Sequence, residues 1–127
     1  MNTYICKTSA PVRALLVAMV MFGGVLCAPS AQAGPHEYIQ AENLPVSGPY
    51  SQAVRAGDQL FISGIIAFDP AKKALAPPQI EAQTKQVLSN LDAILHAAGM
   101  TKSDVVKTTV LLKNLSDMPV MNRLYGA

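Results

Sequence analysis

The apolar and polar positions between Ser51 and Ile66 fall in the order that a strand pair requires. Two short runs, Ser51–Ala56 and Gln59–Ile66, flank Gly57-Asp58, a turn pair suited to the positive backbone angles of a tight hairpin. In the second run Leu60, Ile62 and Gly64 share one face and Phe61, Ser63 and Ile65 the other, so both faces are partly apolar and the strand is expected to be covered. Asp69-Pro70 ends it, and Lys72–Pro78, rich in Pro, Ala and Lys, reads as a surface loop. After Pro77 and Pro78 the period changes to that of a helix. Ile80, Val87, Leu91, Ile94, Leu95 and Ala98 form an apolar stripe, Gln83, Lys85, Gln86 and Asn90 the opposite polar face, and Gly99 the stop. Such a helix lies with one stripe against a sheet. Asp104–Leu112 is β-branched and apolar on both faces, the pattern of a central strand. Lys113-Asn114 closes it, and Ser116 or Asp117 can cap a second helix from Met118, with Pro119 in the first turn where a missing amide hydrogen costs little. Upstream, Gly34–Pro45 is polar and mixed, an arm or short edge strand. The order of elements is thus β, β, α, β, α.

The first thirty-three residues follow a different pattern. Lys7 and Arg13 precede an apolar run from Ala14 to Leu26, and Ala28-Pro29-Ser30-Ala31-Gln32-Ala33 places small residues where a leader is cut. Residues 1–33 are therefore expected to be a secretory signal peptide, cleaved after Ala33, with an apolar core below the roughly 18 residues of a membrane span. Residues 34–127 then form a single domain, periplasmic or secreted, with no membrane attachment after cleavage. Both cysteines, Cys6 and Cys27, lie in the leader, so the domain can be neither a disulfide scaffold nor a thiol enzyme nor a cysteine-based zinc site. Arg55, Lys72, Lys73, Lys85, Lys102, Lys107, Lys113 and Arg123 balance Glu37, Glu42, Asp58, Asp69, Glu81, Asp92, Asp104 and Asp117. The net +2 belongs to the leader, and the domain lacks the basic footprint of nucleic-acid binding. His36 reads as solvated and His96 as complementing a helix dipole, so neither suggests a metal or nuclease centre. Asn114-Leu115-Ser116 fits a glycosylation acceptor, but a helix cap is the simpler explanation.

Gly48-Pro49-Tyr50-Ser51-Gln52-Ala53-Val54, Ser63-Gly64, Asp69-Pro70, Gln86-Val87-Leu88 with Asn90-Leu91, Ala97-Ala98-Gly99, Asp104–Val110 and Met121-Asn122 occur in one order. With these segments the chain resembles the Rid family of reactive intermediate deaminases, the YjgF-like proteins, from about Pro45 to Tyr125. The resemblance implies a chorismate-mutase-like α+β fold, a mixed sheet with two helices packed on one face. It also implies a homotrimer with ligand clefts between subunits, and hydrolysis of enamines and imines such as 2-aminoacrylate to 2-oxo acids and ammonia. Neither metal nor organic cofactor is implied. Carried over position by position, the substrate-binding residues are Tyr50, Ser63, Gly64 and Asn122; no catalytic residue is assigned.

Two departures accompany the likeness. Ile65 stands where the family commonly has glutamine, so a polar contact is expected to be missing. Family members also continue for roughly thirty residues through a Pro-Ala-Arg segment, whose arginine pairs with the substrate carboxylate, and a late strand bearing a glutamate. Neither lies within residues 1–127, and Arg55 and Arg123 do not match the motif. The domain is thus expected to lack its last strands and to be impaired in catalysis, leaving Asp104–Leu112 with an unpaired apolar edge. A non-catalytic module binding small ligands or a protein is the alternative, and an endoribonuclease or translation inhibitor finds little support in the neutral composition.

Overall fold

The computed structural model describes residues 4–7, 34–46 and 48–127. The described strands are β1 (Tyr4–Lys7), β2 (Glu37–Ile39), β3 (Ala53–Ala56), β4 (Gln59–Ile62), β5 (Phe68–Asp69), β6 (Ala74–Leu75) and β7 (Val105–Lys107). The helices are α1 (Ile80–Ala97), between β6 and β7, and α2 (Met118–Tyr125). One sheet has the order β2-β3-β4-β1-β7, while β5 and β6 pair separately. Every neighbouring pair among the described strands is antiparallel, and together with α1 and α2 they give the expected α+β architecture.

The predicted hairpin forms at its turn pair. Gly57 has φ 58°, and the register runs from Ala56 opposite Gln59 to Ala53 opposite Ile62. β4 stops at Ile62 instead of reaching Ile66. The Ser63 amide still donates to the Gln52 carbonyl at 2.9 Å, but the partner chain then turns away through Pro49 and Gly48, and residues 64–66 have no ladder to join. Upstream, β2 pairs with β3 as the expected short edge strand.

α1 buries Leu91, Ile94 and Leu95 against Ala53, Leu60 and Ile62, with Ile39, Ala98 and Met100 completing the core. Leu60, Ile62 and Leu95 are the largest side chains taken wholly out of water. Each such burial stabilises the fold by about 1.5–3 kcal/mol. Gly99, at φ 68°, ends the helix in the left-handed conformation that glycine adopts without penalty, and its amide donates to the His96 carbonyl at 2.9 Å. Arg55 ties this end to the sheet, because its Nη2 donates to the Ala98 carbonyl at 2.5 Å and its Nε to Glu37 Oε2 at 3.0 Å.

The strand predicted over Asp104–Leu112 is shorter than its sequence suggests. β7 covers Val105–Lys107 and lies at the sheet edge, with β1 on its inner side. No described strand pairs with its outer side, so residues 108–112 leave the ladder and Val106 and Leu111 stay exposed. α2 begins as expected, with Pro119 in its first turn, and buries Met121.

β1 falls inside the segment read as a leader. The apolar run Ala14–Leu26 and the cleavage residues Ala31 and Ala33 lie outside the described residues. Among the described residues no helix is long and apolar enough to cross a membrane.

β6 falls within the predicted surface loop Lys72–Pro78 and pairs with β5, which lies just before that loop. Asp69 Oδ1 accepts from the amides of Ala71 at 3.0 Å and Lys72 at 3.3 Å, and Lys73 takes φ 51°. Burial pushes the Asp69 carboxyl upward, but the Lys72 amide and ammonium and the Ala71 amide outweigh it and hold the group below its ordinary value. A depressed folded value means that this contribution is present above the unfolded carboxylate range and is lost as pH falls through the folded value. The Ala71 and Lys72 amide resonances are accordingly expected to move on acidification, and Asp69→Asn to abolish that titration. A titration that survives Asp69→Asn would assign it to another group.

Candidate functional site

The site begins at Gly48, whose φ of 111° is unfavourable for any side chain and turns the chain into Pro49-Tyr50. The Tyr50 amide donates to the Gly48 carbonyl at 3.0 Å. A Cβ placed on Gly48 would lie 3.6 Å from the Tyr50 ring carbons, so the ring rests against the glycine and stays half exposed at a cavity mouth. Next to it, the Ser51 carbonyl accepts from Ser63 Oγ at 2.5 Å, which fixes the Ser63 rotamer. Gln52 is buried. Its Oε1 accepts from the Ala41 amide at 2.7 Å and its Nε2 donates to the Leu44 carbonyl at 2.5 Å, which holds Leu44 and Pro45 as one wall.

The opposite wall, residues 63–66 and Phe68, is held by Asn90. Its Nδ2 donates to the carbonyls of Ile66 at 3.1 Å and Phe68 at 2.9 Å, while Oδ1 accepts from Gln86 Nε2 at 2.9 Å. The sequence pattern assigned Asn90 to the polar face of α1, but it is only 4% exposed. A signal was present, since Asn90 lies three residues after Val87 and four before Ile94, inside the apolar stripe. An asparagine there must find internal partners, and the strandless carbonyls of 66 and 68 supply them. Gln52 was likewise part of the motif but carried no assigned role.

These elements enclose a cavity of about 120 Å³ whose lining includes Tyr50, Ser63 and Gly64 together with Leu44, Ile65 and Ile94. Three of the four predicted residues therefore converge. Asn122 does not join them, because it sits on the exposed side of α2, away from this lining. A larger groove of about 590 Å³ runs between α1, α2 and residues 110–114, and it holds none of the four.

The small cavity has a definite chemistry. Its walls are mostly apolar, and among its lining residues there is no Asp, Glu, His, Lys or Arg. The Ser63 hydroxyl hydrogen is committed to Ser51, which leaves the oxygen as an acceptor for an incoming N–H. Ile65 lines the wall without adding a polar group. His36 and His96 are exposed and lie elsewhere, and the described residues contain no metal-binding cluster of three or more His, Cys, Asp or Glu. The arrangement suits a small molecule with an apolar body and an N–H group.

The description "Endoribonuclease L-PSP" belongs to the family model that matches residues 40–127. A RutC family protein of Pyrococcus horikoshii is 49% identical over 91 residues, spanning 71% of this chain and 72% of the relative. The 2-iminobutanoate/2-iminopropanoate deaminase of Salmonella typhimurium is 43% identical over 70% of each chain. Among solved structures, E. coli TdcF with bound serine superposes with a TM-score of 0.67 at 33% identity, covering 71% of each chain.

Proposed function

Because the chain belongs to the Endoribonuclease L-PSP family, that of the YjgF/Rid proteins, we propose that its cavity binds small imines and enamines of 2-oxo acids and promotes their hydrolysis. The observation that carries this reading is the convergence of Tyr50, Ser63 and Gly64 on one cavity of about 120 Å³. A serine-bound relative and a relative named as an iminobutanoate deaminase support the substrate class.

In the reaction, water oxygen bonds to the imine carbon while the carbon–nitrogen π pair moves to nitrogen, and one proton of that water passes to the nitrogen to give the carbinolamine. The carbinolamine then expels ammonia as the carbonyl forms, with one proton gained at nitrogen and one lost from oxygen. An imine carbon is already electrophilic, so the protein contributes chiefly orientation. On this reading Leu44, Ile65 and Ile94 hold the alkyl part, and Ser63 Oγ accepts the imine N–H. Gly64 leaves room for close approach, and Tyr50 covers the mouth. The substrate carboxylate then faces outward, toward a cation that the lining does not hold. A homotrimer would bring further polar groups to the mouth from a neighbouring subunit, the neutral amide of Asn122 among them, and processing after Ala33 would place the protein in the periplasm or outside the cell.

The test uses the full chain with an imine generated in situ from 2-aminobutanoate by an amino-acid oxidase. Saturable release of 2-oxobutanoate, at least about tenfold above spontaneous hydrolysis, is the expected result. Unaccelerated hydrolysis with specific binding of 2-oxobutanoate would instead support a non-catalytic ligand-binding module, and neither turnover nor binding would remove the reading. Ribonuclease chemistry has less to stand on, since the cavity lining holds no histidine or carboxylate to transfer a proton and no cation to meet a phosphate.

A further inference from the structure

Gln52 stands directly before β3 and is only 6% exposed. A buried amide needs internal partners, and those of Gln52 all lie on one segment. Its Oε1 accepts from the Ala41 amide at 2.7 Å, and its Nε2 donates to the Leu44 carbonyl at 2.5 Å, with a longer contact to the Ala41 carbonyl at 3.5 Å. The Ala41 carbonyl also accepts from the Leu44 amide at 3.2 Å, so residues 41–44 form a closed turn gripped at both ends by one side chain. β2 ends at Ile39, and no described strand pairs with residues 40–46. Gln52 thus supplies this turn with backbone partners that a ladder supplies elsewhere.

Leu44 is half-buried, packs against the core cluster and lines the cavity whose facing wall carries Ile65. Its placement decides how much apolar surface meets a ligand, because a gap of only about 0.5–1 Å forfeits roughly a quarter to a half of a dispersion contact. The facing wall has its own buried amide, Asn90, so each wall is keyed to the frame by one neutral side chain and no charge is brought into the cavity. We propose that Gln52 is a positioning residue for the ligand: its amide is committed to the turn, and it acts through Leu44, which it holds at contact distance from the ligand's alkyl part. The inference rests on reading the cavity as a site for 2-oxo acids and their imines. It adds that affinity there depends on a side chain whose polar atoms bond to the turn instead of to the ligand.

A double-mutant cycle on the full chain tests it, with 2-oxobutanoate affinity measured by calorimetry below the lowest Tm of the set. Gln52→Met, which keeps the shape and removes both bonds, should lower affinity about 5- to 20-fold in the wild-type background and less than about twofold once Leu44→Ala has removed the side chain it positions. Gln52→Glu guards against a Gln52→Met protein that fails to fold. Its carboxylate still accepts from the Ala41 amide but cannot donate to Leu44, so it should lower affinity while the Ala41 amide stays protected from hydrogen exchange. Without ligand, that amide should exchange at least about tenfold faster in Gln52→Met than in wild type. A purely structural role would lower Tm and leave the affinity of the folded protein unchanged, and that result would overturn the proposal. So would an equal loss in both backgrounds, or free exchange at Ala41 in wild type. A wild-type protein that protects Ala41 yet binds no 2-oxobutanoate would remove the reading of the cavity itself, and this inference with it.

Discussion

Asn90→Leu is expected to destabilise the protein by about 2–3 kcal/mol, although leucine is more apolar and of similar size. The wild-type amide donates to the carbonyls of Ile66 and Phe68 and accepts from Gln86, at 2.9–3.1 Å. Leucine would leave two partly buried carbonyls without their donor, and each such loss costs about 1–3 kcal/mol, offset in part by the added apolar burial. For a domain of this size, 1 kcal/mol corresponds to roughly 4–8 °C in Tm, so a fall of about 10–20 °C should appear in thermal denaturation followed by circular dichroism. Asn90→Asp keeps the shape and removes the Nδ2 donor, placing a carboxylate against the two carbonyls; it should cost at least as much. An Asn90→Leu protein as stable as wild type would show that position 90 contributes through packing alone. Because residues 65–68 form a cavity wall, either variant should also weaken ligand binding, which joins the stability of α1 to the shape of the site.

What could be read from the sequence divides according to how local its cause is. The Gly57-Asp58 turn, the stripe of α1, the stop at Gly99 and the start of α2 at Met118, with Pro119 in its first turn, depend on neighbours within a few residues, and each appears where its chemistry predicts. The shared cavity of Tyr50, Ser63 and Gly64 was legible only because ordered motifs suggested it, and the β3–β4 register then explains it: Ser63 follows β4 and bonds back to Ser51 and Gln52, beside Tyr50. What escaped depends on distant partners. Nothing local in Asp104–Leu112 distinguishes a strand with two neighbours from β7, which loses its ladder after Lys107 where no described strand pairs with it. Nothing local in Tyr4–Lys7 announces a seat between β4 and β7. Asn90 was misplaced although its seat in the apolar stripe was readable, and what the sequence did not show was its partners, 22 and 24 residues away.

Tyr50→Ala is expected to lower affinity for 2-oxobutanoate about 10- to 100-fold while changing stability little. The ring is 49% exposed and rests on Gly48 at the mouth, so its removal costs the fold only part of an aromatic side chain's burial. A ligand in the cavity would cover the rest, and loss of that apolar contact, about 1.5–3 kcal/mol, converts to the stated range at 1.4 kcal/mol per decade. Tyr50→Phe separates ring from hydroxyl. If the hydroxyl bonds the ligand, phenylalanine should lose about 0.5–1.5 kcal/mol, a factor of roughly 2 to 12; if the tyrosine only walls the mouth, phenylalanine should match wild type. Calorimetric titration of the three proteins decides between these, with Tm measured alongside to confirm that the fold is intact. Equal affinity in all three would place the ligand elsewhere, and the larger groove between α1, α2 and residues 110–114 would become the next site to test.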